Sequence, residues 1–239
     1  MITKDFIPLS DDLLFKEIFA HQDNREQLIY FLKTTTGFDE HIIRNHLVVH
    51  YESVFEKSKL KEKAMRGDIV IHFDHYIVNL ECYSSFNSES FDKSMSYVMR
   101  IFSTQLDKGE SYGKLRSVIQ INLIDGVDTD FDSKVISSYH IINDDNINDK
   151  KNADKFMMKY YRLDKARLIP YNELDGEMRW IRFIGAQSEE ERKEIAKGDE
   201  LLMDLDNWID NYIMDENTKK YYGEWAEQIA LRKGEKTGI

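Results

Sequence analysis

Apolar residues near the start of the chain recur at intervals of three and four. This spacing places them on one face of a helix over residues 10–19, which Ser10 or Asp11 can cap. The apolar stripe consists of Leu14, Phe15, Ile18 and Phe19. A second stripe predicts a helix over residues 24–34 that stops before Gly37. The chain therefore opens with two amphipathic helices.

The pattern then changes to one typical of strands. Residues 46–55 alternate loosely between apolar and polar, which predicts a first strand. Two apolar runs follow at residues 69–73 and 76–83, and Asp74-His75 between them has the length of a tight turn. These two runs therefore predict a β-hairpin. Later strands are predicted at residues 118–124, 137–142 and 160–168.

The remaining segments predict an α/β architecture. A helix over residues 89–108 separates the hairpin from the run at 118–124, whose continuous apolar character is typical of an interior strand covered on both faces. Further helices are predicted at 178–185, 189–197, 199–214 and 216–233. We therefore predict a mixed central sheet flanked by helices in a core domain over residues 1–170. A helical C-terminal extension is predicted over residues 171–239.

Composition narrows the class of protein. The 239 residues are 41% hydrophobic and 32% charged, which is typical of a globular chain with its own core. The single cysteine, Cys82, excludes an intramolecular disulfide and favours a reducing cytoplasm. No stretch reaches the roughly 20 apolar residues of a membrane span, and the first residues lack the apolar segment of a signal peptide. We expect a cytoplasmic protein without membrane association.

The distribution of charge bears on nucleic-acid binding. A net charge of −11 argues against a general nucleic-acid coat protein, because binding of phosphate requires Lys and Arg. The most basic stretch nevertheless lies directly before Asp68 and includes Lys61, Lys63 and Arg66. These cations can guide a phosphate backbone, or the stretch can be an ordinary solvated loop. The sequence leaves both interpretations open.

Two carboxylates of the predicted hairpin are the strongest candidates for chemistry. Asp68 opens the first hairpin strand and Glu81 lies inside the second, so pairing of the strands brings both to one end. A buried carboxylate is costly unless it is paired or binds a cation. Two converging carboxylates favour a hard divalent cation of the Mg²⁺ type. For Asp68 alone, capping of a turn at the strand start is the simpler interpretation.

Several short motifs follow one another along nearly the whole chain. They occupy residues 12–19, 67–71, 79–83, 105–115, 163–165, 180–183 and 233–236. The segment 105–115 is the most specific of them, and it leads into the apolar strand at 118–124. In their order and spacing these motifs resemble the Rpn family of recombination-promoting nucleases, also described as putative transposases, which belong to the PD-(D/E)XK nuclease superfamily.

The resemblance implies a restriction-endonuclease-like fold and a DNA endonuclease that depends on Mg²⁺ or Mn²⁺. Asp68 and Glu81 would be metal ligands, together with the backbone carbonyl of Cys82. The cation would activate a water for attack on phosphorus. An acidic residue of the first helix would add a ligand or orient a water, for which Glu17 is the candidate, with Asp12 behind it.

Residue 83 departs from the family pattern. Two residues after the glutamate the family typically has Gln and the superfamily Lys, whereas this chain has Tyr83. A phenol is neutral at pH 7 and donates a single hydrogen bond to a water or a phosphate. The resemblance therefore also allows a cation moved to the following helix, with Lys93 and Arg100 as candidates. Gln105 can hold a phosphate or cap the edge of a strand.

Three functions are compatible with the sequence. The pair of Asp68 and Glu81 favours cleavage of DNA in recombination or mobile-element activity. Tyr83 and the acidic composition favour a degenerate relative that binds nucleic acid or a protein without cutting. The third interpretation is an interaction protein that self-associates through its amphipathic C-terminal helices, as in a homodimer.

Overall fold

The computed structural model describes residues 6–51, 54–55, 65–66, 68–127, 133–148 and 152–220, with the backbone alone at residues 12, 51, 54–55, 65–66 and 154. Its α-helices are α1 (Asp12–Ala20), α2 (Arg25–Thr36), α3 (Glu40–His46), α4 (Ser88–Ser103), α5 (Leu163–Ala166), α6 (Gly176–Ile184), α7 (Glu189–Ala196) and α8 (Glu200–Met214). Its strands are β1 (Val48–Tyr51), β2 (Val54–Phe55), β3 (Met65–Arg66), β4 (Ile69–Phe73), β5 (Tyr76–Tyr83), β6 (Ser117–Ile124), β7 (Ile136–His140) and β8 (Phe156–Arg162).

A six-stranded mixed sheet organises the fold, in the order β1-β4-β5-β6-β8-β7. Strands β1, β4 and β5 are antiparallel, β5, β6 and β8 are parallel, and β7 runs antiparallel to β8. The predicted hairpin is confirmed, because β4 pairs with β5 from Ile69↔Leu80 to Phe73↔Tyr76. Asp74 in its turn has a left-handed φ of 45°. The predicted α/β class, a mixed sheet flanked by helices, is also confirmed.

Successive side chains of the strands form two apolar layers, one on each face of the sheet. One layer lies under α4, whose Val98 and Ile101 pack with Val70 of β4, Ile77 of β5 and Met158 of β8. On the outer strands, α1 packs against β1 and α3 against β4. A line of aromatic rings joins α1, α2 and α6 through Phe15, Phe19, Phe31 and Trp180. Helices therefore pack against the hairpin strands on both faces of the sheet.

The strand predicted at residues 160–168 is wrong in its limits. The observed strand β8 ends at Arg162, and the chain continues directly into α5, whose Leu163 and Ala166 are buried. A strand end and a single buried helical turn carry the same apolar residues, so periodicity does not separate them over so short a run. Only the packing of α5 against α6 and β6 shows which one forms.

Two helices differ from the sequence prediction, and a third is only partly described. The helix predicted to end at residue 108 ends at Ser103, where the N–H of Thr104 donates to the carbonyl of Arg100. Helix α3 is absent from the prediction, because only Ile43 is buried in it and it has too few apolar positions to show a period. The helix predicted over residues 216–233 lies partly outside the described residues, which end at 220.

By its internal contacts the chain divides into two compact units, Met1–Ile195 and Ala196–Ile239. The first unit contains the sheet and helices α1–α6, and the second contains α8. The predicted domain limit at residue 170 stays a prediction. Helix α6 lies beyond that limit, and its Trp180 packs on Phe31 within the first unit. Among the described residues no helix is long and apolar enough to cross a membrane.

Candidate metal centre

Asp68 and Glu81 lie together where β5 extends beyond β4. The last pair of that ladder is Ile69↔Leu80, so Glu81 has no partner on β4 and faces Asp68 instead. The N–H of Asp68 donates to Oε1 of Glu81 at 3.1 Å. In return, the N–H of Cys82 approaches Oδ2 of Asp68 at 3.5 Å. The unpaired end of the hairpin therefore holds two carboxylates in contact through the backbone.

The two carboxylates differ in their exposure. The Glu81 side chain is 1% exposed and the Asp68 side chain 18%, so Asp68 forms the open side of the pair. Burial raises the pKa of Glu81 to about 7, and the neighbouring charge of Asp68 adds to that rise. Lys93, the Asp68 N–H and the Asn79 amide act in the opposite direction. A proton or a cation therefore stabilises Glu81 at neutral pH.

Lys93 brings a positive charge to the buried carboxylate. It lies on α4, which begins at a capping box formed by Asn87 and Ser90. Its ammonium is 3.5 Å from Oε2 of Glu81 and 5.1 Å from the ring centroids of both Tyr83 and Tyr97. Burial, the largest single effect, lowers the pKa of Lys93, but attraction to Glu81, Tyr97 and Asp68 together outweighs it and the pKa is raised. Lys93 is therefore charged.

Lys16 is a second cation at the centre, and the sequence analysis missed it. It lies on α1, which Asp11 caps through the N–H groups of Leu13 and Leu14. Its ammonium is 3.5 Å from Oδ1 of Asp68, and its side chain is only 9% exposed. The available signal was a lysine inside the apolar part of the first helix, where burial requires an anionic partner. Each of the two carboxyl groups at the centre thus lies beside one lysine ammonium.

Tyr83 is packed in the core rather than presented to solvent. It is 7% exposed, and its ring meets the Phe86 ring edge-on at 5.2 Å. Its buried hydroxyl has no hydrogen-bond partner among the described residues. Burial, with a smaller effect of Glu81, raises the pKa of this phenol, so it is neutral. What Tyr83 offers the site is the face of its ring, beneath Lys93.

A row of buried polar side chains extends from Glu81 into the sheet. Asn79 donates to Oε1 of Glu81 at 3.2 Å and to Gln120 at 2.8 Å. Gln120 donates to Asn122 at 3.0 Å, and Ser94 of α4 donates to the same Asn122 oxygen at 3.0 Å. Asn79, Gln120, Asn122 and Ser94 are all 0% exposed. Because buried amides are costly unless bonded, this row fixes the rotamer of Glu81.

The other predicted residues have different positions. Glu17 is half-buried on α1, and its carboxylate has no hydrogen bond or ion pair within the described residues. Arg100 is half-buried at the end of α4. Gln105 bonds through both amide atoms to the backbone of Arg116, at 2.8 and 3.1 Å, which is the strand-edge alternative. Lys61, Lys63 and the side chains of Asp12 and Arg66 lie outside the described residues.

The donor set at this centre fits a hard divalent cation. Asp68 and Glu81 provide carboxylate oxygens. The N–H of Cys82 points towards Asp68, and the carbonyl of a strand residue lies on the same side as its N–H. Mg²⁺ sites commonly use one or two carboxylates and keep several waters. Within the described chain no group of three or more His, Cys, Asp or Glu side chains is placed to hold a metal, so a closed zinc-type cage is not formed there.

Comparison with known proteins gives the family. The model of the PD-(D/E)XK nuclease family transposases matches residues 9–230, which is most of the chain. A comparison with curated proteins finds no match. The mixed sheet with flanking helices is consistent with the restriction-endonuclease-like fold of that superfamily. The narrower relation to the Rpn family stays a prediction. By this match the chain belongs to the PD-(D/E)XK nuclease family transposases.

Proposed function

We propose that the protein is a DNA endonuclease that uses Mg²⁺ or Mn²⁺ and acts in recombination or mobile-element activity. The observation that carries this proposal is the contact of Asp68 with Glu81 at the open end of the hairpin, 3.1 Å from N–H to carboxylate. The charge of Asp68 disfavours ionisation of Glu81, and a divalent cation bound by both carboxylates would remove this repulsion. Membership of a nuclease family supports the same conclusion.

Asp68, Glu81 and the carbonyl of Cys82 would hold the cation. When bound, the cation supplies Lewis-acid activation of a water and neutralises charge on the phosphate. The carboxylate of Asp68 is the more exposed of the two and faces the incoming phosphodiester. The Asn79 amide donates to Oε1 of Glu81, which leaves Oε2 directed to Lys93. These residues fix the geometry before DNA arrives.

Lys93 would take the role that Lys has in the superfamily two residues after the glutamate. Its side chain is 47% exposed, so its ammonium can contact a phosphate oxygen while staying close to Glu81. The rings of Tyr83 and Tyr97 flank it and restrict its position. Tyr83 would therefore act as a positioning residue for a cation that another helix supplies. Lys16 balances the charge of Asp68 from the opposite side.

Cleavage of supercoiled plasmid in Mg²⁺ or Mn²⁺ tests the proposal. We expect Glu81→Gln to reduce cleavage to background, because it removes a ligand while keeping the side-chain shape. Lys93→Met should reduce the rate by about 10²–10³, the usual cost of one oriented transition-state donor. Glu173→Gln and Lys108→Met remove the same charges from exposed positions and should cleave as the wild type does. Cleavage that survives Glu81→Gln would refute the assignment of the site.

The second candidate function is binding of DNA without cleavage. The observation in its favour is the burial of the Tyr83 hydroxyl, which prevents that group from touching water or substrate. Retardation of DNA on a gel, with no cleavage in either metal, would support this alternative. A gain of cleavage in Tyr83→Lys would then show that the wild type does not cleave because it lacks a cation at position 83.

A further inference from the structure

Apart from the candidate metal centre, a second pocket lies on the outer strands of the sheet. It has a volume of about 530 Å³ and is open to solvent. Strands β1 and β4, the end of α3 and the segment before β6 surround it, and its polar lining includes Arg116, His72, His50 and Asn45. None of these residues belongs to the candidate metal centre.

Arg116 is held firmly at this pocket. Its N–H donates to Oε1 of Gln105 at 2.8 Å, and its carbonyl accepts from Nε2 of Gln105 at 3.1 Å. One glutamine thus fixes the backbone at the start of β6. The guanidinium extends to Nδ1 of His72 at 3.4 Å. Within the described residues Arg116 has no ion pair with a carboxylate, so its charge is directed into the pocket.

Two imidazoles lie around this guanidinium in the lining of the pocket. The rings of His50 and His72 lie 4.8 Å apart on neighbouring strands. Burial, His50 and Arg116 together lower the pKa of His72 to about 4, so its neutral ring accepts from Arg116 at pH 7. Asp74 is at the rim, where its carboxylate lies 3.6 Å from His75. The Arg116 guanidinium, the two imidazoles and the Asn45 amide can each donate a hydrogen bond. Such a set of donors around one positive charge suits a tetrahedral anion.

We propose that this pocket binds a phosphate of the DNA backbone, away from the bond that is cut. The inference rests on the proposed function, which supplies DNA as the substrate. His72 of β4 is four residues beyond Asp68, which directly precedes that strand, so the two residues lie about 13 Å apart. Measured along the axis of a duplex, that distance corresponds to about four base pairs. Val48, 50% exposed beside His72 in the sheet register, provides an apolar contact for deoxyribose.

The salt dependence of oligonucleotide binding, measured without metal, tests this pocket. Each phosphate contact contributes about −0.9 to the slope of log K against log salt for duplex DNA. We expect Arg116→Gln to weaken binding of a short duplex about threefold to tenfold and to reduce the slope by about 0.9. His50→Gln, at an exposed position, should weaken binding without changing the fold. Lys114→Gln removes an equal charge two residues away, from an ion pair with Glu110, and should behave as the wild type.

A titration with inorganic phosphate provides a reading that does not depend on DNA. The imidazole resonances of His50 and His72 should shift in the wild type and in Lys114→Gln, but not in Arg116→Gln. Circular dichroism of each variant establishes that it is folded. If Arg116→Gln has the same salt slope as Lys114→Gln, or if phosphate leaves both imidazoles unchanged, the pocket proposal is wrong.

The outcomes also separate this proposal from the proposed function. Binding with the expected change in slope, but no cleavage by the wild type in either metal, leaves the pocket supported and refutes the endonuclease. Cleavage with equal slopes in the wild type and Arg116→Gln refutes the pocket alone. No binding of oligonucleotide by the wild type at low salt would overturn both.

Discussion

At the scale of single residues, Glu81 determines the electrostatics of the centre. Its side chain is almost fully buried, beside Asp68, in a sheet whose neighbouring positions are apolar. Burial raises its pKa to about 7, so at neutral pH the carboxyl holds a proton part of the time. A metal ligand must lose that proton before it binds. Metal affinity should therefore depend on pH in a range where ordinary glutamates are already ionised.

We predict that the affinity for Mn²⁺ falls about tenfold for each pH unit below about pH 7. The sign follows from the raised pKa of Glu81, because below it the cation competes with a proton. Isothermal titration calorimetry in buffers of different ionisation enthalpy should show nearly one proton released per Mn²⁺ at about pH 6. At about pH 8 the release should approach zero. An affinity that is constant over this range would contradict the ionisation assigned to Glu81.

At the scale of elements, α1 places Lys16 at the candidate centre. Asp11 caps the helix through the N–H groups of Leu13 and Leu14, and Lys16 on the next turn contacts Asp68. Helix α3 has the same kind of cap, with Asp39 accepting from the N–H of His41 at 2.8 Å. Lys16 makes α1 part of the site, whereas α3 packs against β4 and, within the described part of the chain, adds no side chain to Asp68 or Glu81.

The two caps give a matched pair of variants. Asp11→Ala and Asp39→Ala should each lower the free energy of unfolding by about 1 kcal/mol, because each leaves helix N–H groups unsatisfied. Urea unfolding followed by circular dichroism measures this loss.

At protein concentrations that saturate the plasmid, only Asp11→Ala should also slow cleavage, because loosening α1 moves Lys16 away from Asp68. Equal cleavage by the two variants would show that Lys16 does not need a fixed helix to act.

At the scale of the whole molecule, the extent of the unit that contains the sheet depends on α6. Its Trp180 is fully buried and packs on Phe31, and Tyr30 lies against the same ring. A fragment that ends at residue 170 would lose this helix and expose the aromatic line through α2. A fragment that ends at Ile195 keeps every element that contacts the sheet in the first unit.

We predict that a fragment of residues 1–195 unfolds cooperatively on heating, whereas a fragment of residues 1–170 does not. Removing a large buried aromatic side chain typically costs about 3–5 kcal/mol, a large part of the stability of a domain. Thermal unfolding followed by circular dichroism distinguishes the two fragments. A cooperative transition in the shorter fragment would place the domain limit at 170, where the sequence pattern changes.

The net charge of −11 is a property of the whole molecule, and it disfavours non-specific binding of DNA. A chain of this charge needs local groups of cations to contact phosphates. Among the described residues, the cations proposed to contact phosphates are Lys16 and Lys93 at the candidate centre and Arg116 in the second pocket. Affinity for DNA should therefore come from few positions, which makes each of them sensitive to substitution.

The sequence by itself determined the α/β class, the hairpin and the approach of Asp68 to Glu81. These features are local. The two carboxylates are 13 residues apart, and a tight turn between two apolar strands leaves one way for them to meet. The limits of α4 and β8 were less certain, because short apolar runs fit a helix or a strand equally well.

Tertiary structure decided between Lys93 and Arg100, the two cations that the sequence had offered, and added Lys16, which the sequence had not singled out. Lys16 reaches Asp68 from α1, and Lys93 reaches Glu81 across the ring of Tyr83. Arg116 meets His72 although they lie 44 residues apart in sequence. Periodicity gives the buried face of a helix or strand, but not the element against which that face packs. Which elements pack together depends on the order of the strands and on the positions of the helices. The tertiary structure was therefore needed to show which cations lie at each of the two candidate sites.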